Sequence, residues 1–134
     1  MRDSAANYTN NMAELIFKEL SYKLNGIFFE VQNKLGANFQ EKHYKRAICS
    51  LLEKNKINFA EEVPIEVSFE GKILGKFKAD LIIDNKILIE LKATDKLTSE
   101  HRQQILRYLK ATKIKLALLI NFRKRPLQIW RIVN

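Results

Sequence analysis

Residues 78–92 read Lys78-Ala79-Asp80-Leu81-Ile82-Ile83-Asp84-Asn85-Lys86-Ile87-Leu88-Ile89-Glu90-Leu91-Lys92. One alternate set, Ala79, Leu81, Ile83, Ile87, Ile89 and Leu91, is entirely apolar. The other, Lys78, Asp80, Ile82, Leu88, Glu90 and Lys92, holds the charges. Strand side chains alternate between faces, so the two sets predict a hairpin with an apolar face and a charged face. The turn parity follows. A two-residue loop at Asp84-Asn85 would pair Asp80 with Ile89 and mix the sets. A three-residue loop, Asp84-Asn85-Lys86, pairs Ile83 with Ile87 and sets Asp80 opposite Glu90. Lys92 then follows two residues along on the same face. Asn85 can supply the left-handed residue such loops use.

Upstream, Leu20, Leu24, Ile27, Phe28, Val31 and Leu35 fall at helical spacing from about Met12, and Gly36 caps that helix. A second helix is expected from Phe39 to Lys54, with the stripe Tyr44, Ala47, Ile48, Leu51 and Leu52. Cys49 and His43 fall off that stripe. The period then changes to two: Val63, Ile65, Val67 and Phe69 mark a first strand, and the hairpin strands run over Ile73–Ile83 and Lys86–Lys92. Thr98 or Ser99 caps a helix reaching Ala111, with Ile105, Leu106 and Leu109 inward. Lys115–Phe122 and Leu127–Val133 complete the sheet, with Trp130 expected to pack. The order is α-α-β-β-β-α-β-β, an α/β fold with a central mixed sheet flanked by helices. One domain is expected over 12–134, behind a flexible tail over 1–11.

A chain of 134 residues, 46% hydrophobic, suits one core rather than two. No apolar run approaches the roughly 20 residues of a membrane span, and Met1–Asn11 lacks the apolar centre of a signal peptide. The lone Cys49 excludes an internal disulfide and a multi-cysteine zinc site, and no activating partner makes it a nucleophile. A cytoplasmic setting without membrane partners is therefore expected. The net charge of +9 is unevenly placed. Residues 1–91 hold 13 Lys/Arg against 13 Asp/Glu, whereas residues 92–134 hold 11 against Asp95 and Glu100 alone. A basic third of this kind points to a polyanion, nucleic acid first, with DNA the partner expected although charge does not separate it from RNA.

Two carboxylates at cross-strand distance repel unless a cation lies between them. Asp and Glu oxygens suit Mg²⁺, with Mn²⁺ as a substitute, because Mg²⁺ keeps several waters and takes few protein ligands. A neighbouring lysine can orient or deprotonate water, or neutralise charge developing on phosphate. These parts suit metal-assisted phosphodiester hydrolysis. A surface charge ladder, with Lys78 and Lys92 simply pairing with the acids, accounts for the same spacing without chemistry.

Asp80 followed by Glu90-Leu91-Lys92 on the next strand, with helices before and after, resembles the PD-(D/E)xK nuclease superfamily, whose core is restriction-endonuclease-like. More narrowly the chain resembles the GxxExxY family. Its matching stretches are Glu19-Leu20-Ser21-Tyr22-Lys23, Leu35-Gly36, Glu41-x-x-Tyr44, Lys78-Ala79-Asp80-Leu81, Ile89-Glu90-Leu91-Lys92-Ala93 and Leu119-Ile120-Asn121-Phe122. They run in consistent order over about residues 14–133. The motif's glycine falls at Asn38, and its proline at Lys78 or Ala79. The resemblance implies that Asp80, Glu90 and the Leu91 carbonyl bind the metal and that Lys92 is the catalytic lysine. It also allows a homodimer that cuts two strands.

Further residues follow by position. Glu41 lies three residues before Tyr44 and is expected either on the buried stripe, where a carboxylate needs a partner, or as a first-turn acid favoured by the helix dipole. Members of the superfamily often supply such a helical Glu to the site, and Glu30 is the second choice. Gln104 and Tyr108, four apart, share a helix face and resemble the Gln-x-x-x-Tyr pair that follows the catalytic lysine in RecB-like nucleases. His101 could meet phosphate from one turn earlier; His43 reads as surface. Arg123, Lys124 and Arg125, with Lys96 and Arg102, are the candidate nucleic-acid contacts. A fold that binds nucleic acid without cutting, or that docks an acidic protein, remains open at this point.

Overall fold

The computed structural model describes the backbone of residues 4–134 and side chains from residue 17 onward. Its elements are α1 (Ser4–Leu35), α2 (Glu41–Lys54), β1 (Phe59–Phe69), β2 (Lys72–Ile83), β3 (Ile87–Lys92), α3 (Ser99–Thr112), β4 (Leu116–Asn121) and β5 (Gln128–Val133). The expected order holds. The tail expected over 1–11 falls where side chains lie outside the description; the backbone of α1 begins at Ser4.

The five strands form one mixed sheet in the order β1-β2-β3-β4-β5. Neighbours are antiparallel except β3 and β4, which α3 connects as a parallel pair. A two-residue turn cannot join parallel strands, which is why a helix intervenes here and nowhere else in the sheet. One core cluster joins Leu24, Phe28, Tyr44 and Ile48 of α1 and α2 to Leu81, Ile83, Ile89, Leu91, Leu118 and Ile120. The other joins Ile105, Tyr108 and Leu109 of α3 to Ile82, Leu88, Ala117 and Leu119. Both faces of the sheet are therefore covered, so β3 and β4 read as continuous apolar runs. Among the described residues no helix is long and apolar enough to cross a membrane.

The helix ends have local causes. Gly36 takes φ +80°, and its N–H donates to the Gln32 carbonyl at 2.7 Å, closing α1. Tyr44 ties α2 to that corner: its hydroxyl donates to the Gly36 carbonyl at 2.6 Å, and its ring stacks 4.3 Å from Phe122. Cys49, expected off the stripe, is buried, because α2 presents a wide apolar arc to α1 and the sheet. Burial, then the nearby Glu61 carboxylate, pushes its thiol up to about 11, so it stays protonated and inert. His43 and His101 prove to be caps. Their Nδ1 atoms accept from the N–H groups of Gln40 and Thr98 at 3.1 Å each.

Candidate active site

The hairpin loop is as the apolar alternation requires. Ile83 pairs with Ile87, Ile82 with Leu88 and Leu81 with Ile89. Asp84 and Asn85 both take positive φ, and the Lys86 N–H donates to the Ile83 carbonyl at 2.9 Å. Continued one step, this register sets Asp80 against Glu90, but the ladder stops short of it. The Asp80 N–H instead donates to Glu90 Oε1 at 2.9 Å, and the Leu91 N–H donates to Asp80 Oδ2 at 2.8 Å. Each carboxylate thus serves a main-chain N–H that the departing strand no longer satisfies.

The hairpin does not keep the single apolar face expected of it. Leu81, Ile83, Ile87, Ile89 and Leu91 do share the α1–α2 side, but Ala79 lies in the α3-side cluster. Val63 and Ile65 of β1 lie on the α3 side too, whereas Phe59 lies on the α1–α2 side. Both strands reverse their facing between the pairs Glu61–Leu81 and Val63–Ala79, that is, at Glu62 and Asp80. Glu62 takes φ +47° there, a left-handed conformation costing a non-glycine residue roughly 1–2 kcal/mol. The expected charged face is also apolar at its centre, over Ile82 and Leu88, which pack under α3; its polar members lie towards the two ends.

Asp80 opens into a cleft of about 270 Å³ lined by Glu41, Lys42, Lys45, Glu62 and Leu91. Glu41 is exposed, not on the buried stripe: it is the first residue of α2, ahead of the first core contact at Tyr44. Its charge nevertheless reaches the cleft, raising the pKa of both Asp80 and Glu90. Glu90 is 6% exposed. Burial first, then the charge of Asp80, pushes it up to about 8, against the opposing pull of Lys92. Burial also raises Asp80, despite the Leu91 hydrogen bond. Two carboxylates that both favour the proton thus stand at the end of the β2–β3 ladder.

Tyr108 is buried and packs 5.4 Å from Phe77; burial, Glu90 and Asp80 raise its phenol above the ordinary range. Gln104, one turn earlier, is half-buried on α3. Glu30 pairs with Lys34 at 3.0 Å along α1 and does not line the cleft. Arg123 lines a second cleft with Gln40, Glu41, Lys42 and Ala93. Lys96 and Lys124 are exposed, Arg102 lies 5.2 Å over the Trp130 ring, and Arg125 donates to the Gln32 carbonyl at 3.4 Å.

Three features carry little sequence signal. Lys45 lines the cleft and pairs with Glu62 and Glu61, and the Glu62 bond raises its pKa. Asn121, fully buried beside Lys92, accepts from the Thr94 N–H at 3.1 Å and donates to the Thr94 carbonyl at 2.9 Å, fixing the chain just past that lysine. Gln32 donates to the Phe122 and Lys124 carbonyls and so anchors the basic loop.

Among proteins of curated function, none matches the chain. Among solved structures it is similar to the crystal structure of SSO0001, with a TM-score of 0.56 and 26% identity over 69% of this chain. The similarity covers 49% of that protein, so the chain spans about half its length. The model of the PD-(D/E)XK nuclease superfamily matches residues 18–132, from within α1 to within β5, and so takes in the whole sheet and the cleft. The chain belongs to the PD-(D/E)XK nuclease superfamily.

Proposed function

We propose that the chain is a Mg²⁺-dependent nuclease that hydrolyses phosphodiester bonds, with DNA the first substrate to test. The observation that carries this reading is the reciprocal engagement of Asp80 and Glu90. Each spends one oxygen on the other strand's main chain, and both are pushed toward protonation by burial and like charge.

The donor set suits a hard divalent cation. It is all oxygen, with no imidazole or thiolate in the cleft. Among the described residues no group of three or more acidic, His or Cys side chains is placed to hold a metal. The protein's share would be two carboxylates, through Asp80 Oδ1 and Glu90 Oε2, and the Leu91 carbonyl; Mg²⁺ tolerates so few ligands because it keeps waters. Glu41, at the cleft mouth, is the fourth candidate. A bound ion supplies Lewis-acid polarisation of phosphate and a more acidic water. Lys92 follows Glu90 on β3 and orients the attacking water or neutralises charge developing on the phosphate. Gln104 and Tyr108 support Glu90 from α3. The finer likeness to the GxxExxY family has a physical basis in the α1–α2 corner, where Tyr44 holds the Gly36 carbonyl and Glu41 opens the helix toward the cleft.

The test is incubation with single- and double-stranded DNA and RNA in Mg²⁺, Mn²⁺ or EDTA. Cleavage should need the divalent ion. Lys92→Ala should keep substrate binding and lose turnover by about 100-fold or more, because its contribution lies in the transition state. Wild-type protein that binds nucleic acid but cuts none of the four under any ion would leave a non-catalytic binding module.

A further inference from the structure

Lys45 lies four residues after Glu41, so both occupy one side of α2 and line the same cleft as Asp80 and Leu91. Its side chain is 16% exposed, while its partners Glu61 and Glu62 are 49% and 50% exposed. The lysine is thus the enclosed member of the cluster and the acids are its solvent-facing members. Glu61, at 3.8 Å, already provides a partner from ordinary strand geometry. Glu62 meets the same ammonium from a residue of positive φ, at the position of β1 facing Asp80. A tie between α2 and β1 does not require that second, strained carboxylate. The cleft also holds Glu41, Glu62 and Asp80, a wall that repels a phosphodiester unless a cation is released to meet it.

We infer that Lys45 is a phosphate-binding residue held in reserve by Glu62. In the substrate-free protein its ammonium is engaged by Glu62. A phosphodiester at the Asp80 end of the cleft takes that place, accepting from the ammonium through a non-bridging oxygen while Glu62 turns to water. The lysine stem lets the three-donor head exchange acceptors without moving the helix. Glu62 is then a competitor of the substrate rather than a support for it. This assignment rests on the nuclease reading and names a phosphate contact within it.

The two ends of the pair should therefore respond with opposite signs. Affinity is read by fluorescence anisotropy with labelled 20-nucleotide single-stranded and duplex DNA in EDTA, and KM and kcat by cleavage in Mg²⁺. Lys45→Met should weaken binding and raise KM about tenfold, the size of a lost charge-assisted hydrogen bond, with a smaller change in kcat. Lys45→Arg should recover most of that loss. Glu62→Gln should tighten binding and lower KM by about threefold. Thermal melts of all three separate the alternative. If Lys45→Met and Glu62→Gln lower Tm alike and shift KM in the same direction or not at all, the pair is a structural tie and the inference is overturned. Wild-type protein that neither binds nor cuts would instead overturn the nuclease reading, and this inference with it.

Discussion

Glu90 is the residue at which the site's electrostatics can be read directly. Burial and Asp80 hold its pKa near 8 in the metal-free protein, against 4.5 for an ordinary Glu. Between those values the folded chain keeps a proton that the unfolded chain has released, so the associated stability is full below about pH 4.5 and is lost as pH rises through about 8. In EDTA, Tm should fall from pH 5 to pH 8 and then level. Each kcal/mol moves the Tm of a domain this size by about 4 °C. Asp80→Asn removes the neighbouring charge, so its Tm should fall less over the same range. A divalent ion competes with the proton, so Mg²⁺ should raise Tm more at pH 8 than at pH 5. A pH-independent Tm in EDTA would mean that Glu90 ionises normally. Lys45 shares the site without announcing itself in the sequence, and Asn121 stands out there only as part of the Leu119–Phe122 stretch. A lysine on a helix and an asparagine ending a strand are common, and only the fold brings them beside Asp80 and Lys92.

At the scale of elements, the hairpin of β2 and β3 was legible because an apolar set on a buried face admits one register. The Ile83–Ile87 pairing and the Asp80–Glu90 juxtaposition both follow from it. What alternation cannot show is where alternation fails. The facing reversal at Glu62 and Asp80 uses neither Gly nor Pro, and it hides Phe59–Glu62 from a period-two reading, so β1 is four residues longer than its pattern suggests. Spacing leaves Glu41 between the stripe and the first turn, and the fold decides for the first turn, because that residue projects beyond the core that Tyr44 begins. The capping histidines fail for a related reason: a helix N-terminus usually draws Glu or Gln at that position, and a neutral imidazole nitrogen accepts the same bond. The end of the β2–β3 ladder yields its own prediction. Asp80→Ala leaves the Leu91 N–H without its acceptor and should lose about 1–3 kcal/mol in urea unfolding, whereas Asp80→Asn keeps an acceptor oxygen and should lose less. Both should abolish cleavage. Equal stability of the two variants would show that the main chain re-pairs without the carboxylate.

Over the whole molecule, the +9 of residues 92–134 divides into charges that the fold uses and charges that it leaves for a partner. Arg125 is spent on the Gln32 carbonyl, Arg131 on the Ser21 hydroxyl and Arg102 on the Trp130 ring. Arg123 and Lys124 are exposed on a loop that Gln32 anchors, and Arg123 shares a cleft with Lys42 beside the mouth of the Asp80 cleft. The basic third therefore does not act as one uniform surface, and its members should differ in what they contribute to binding. Each phosphate contact made by a lysine or arginine releases counterions and adds about 0.9 to the slope of log K against log salt on duplex DNA. Arg123→Ala with Lys124→Ala should flatten that slope by about 2 between 50 and 200 mM KCl and weaken binding equally across unrelated sequences. Arg102→Ala should change the slope less, because its guanidinium already faces an indole, and should act mainly through Tm. Anisotropy titrations at four salt concentrations decide this. A slope unmoved by the Arg123–Lys124 pair would put the phosphate track elsewhere, on the outward lysines and arginines of α3, and binding without salt dependence would exclude a phosphate backbone as the partner of this face.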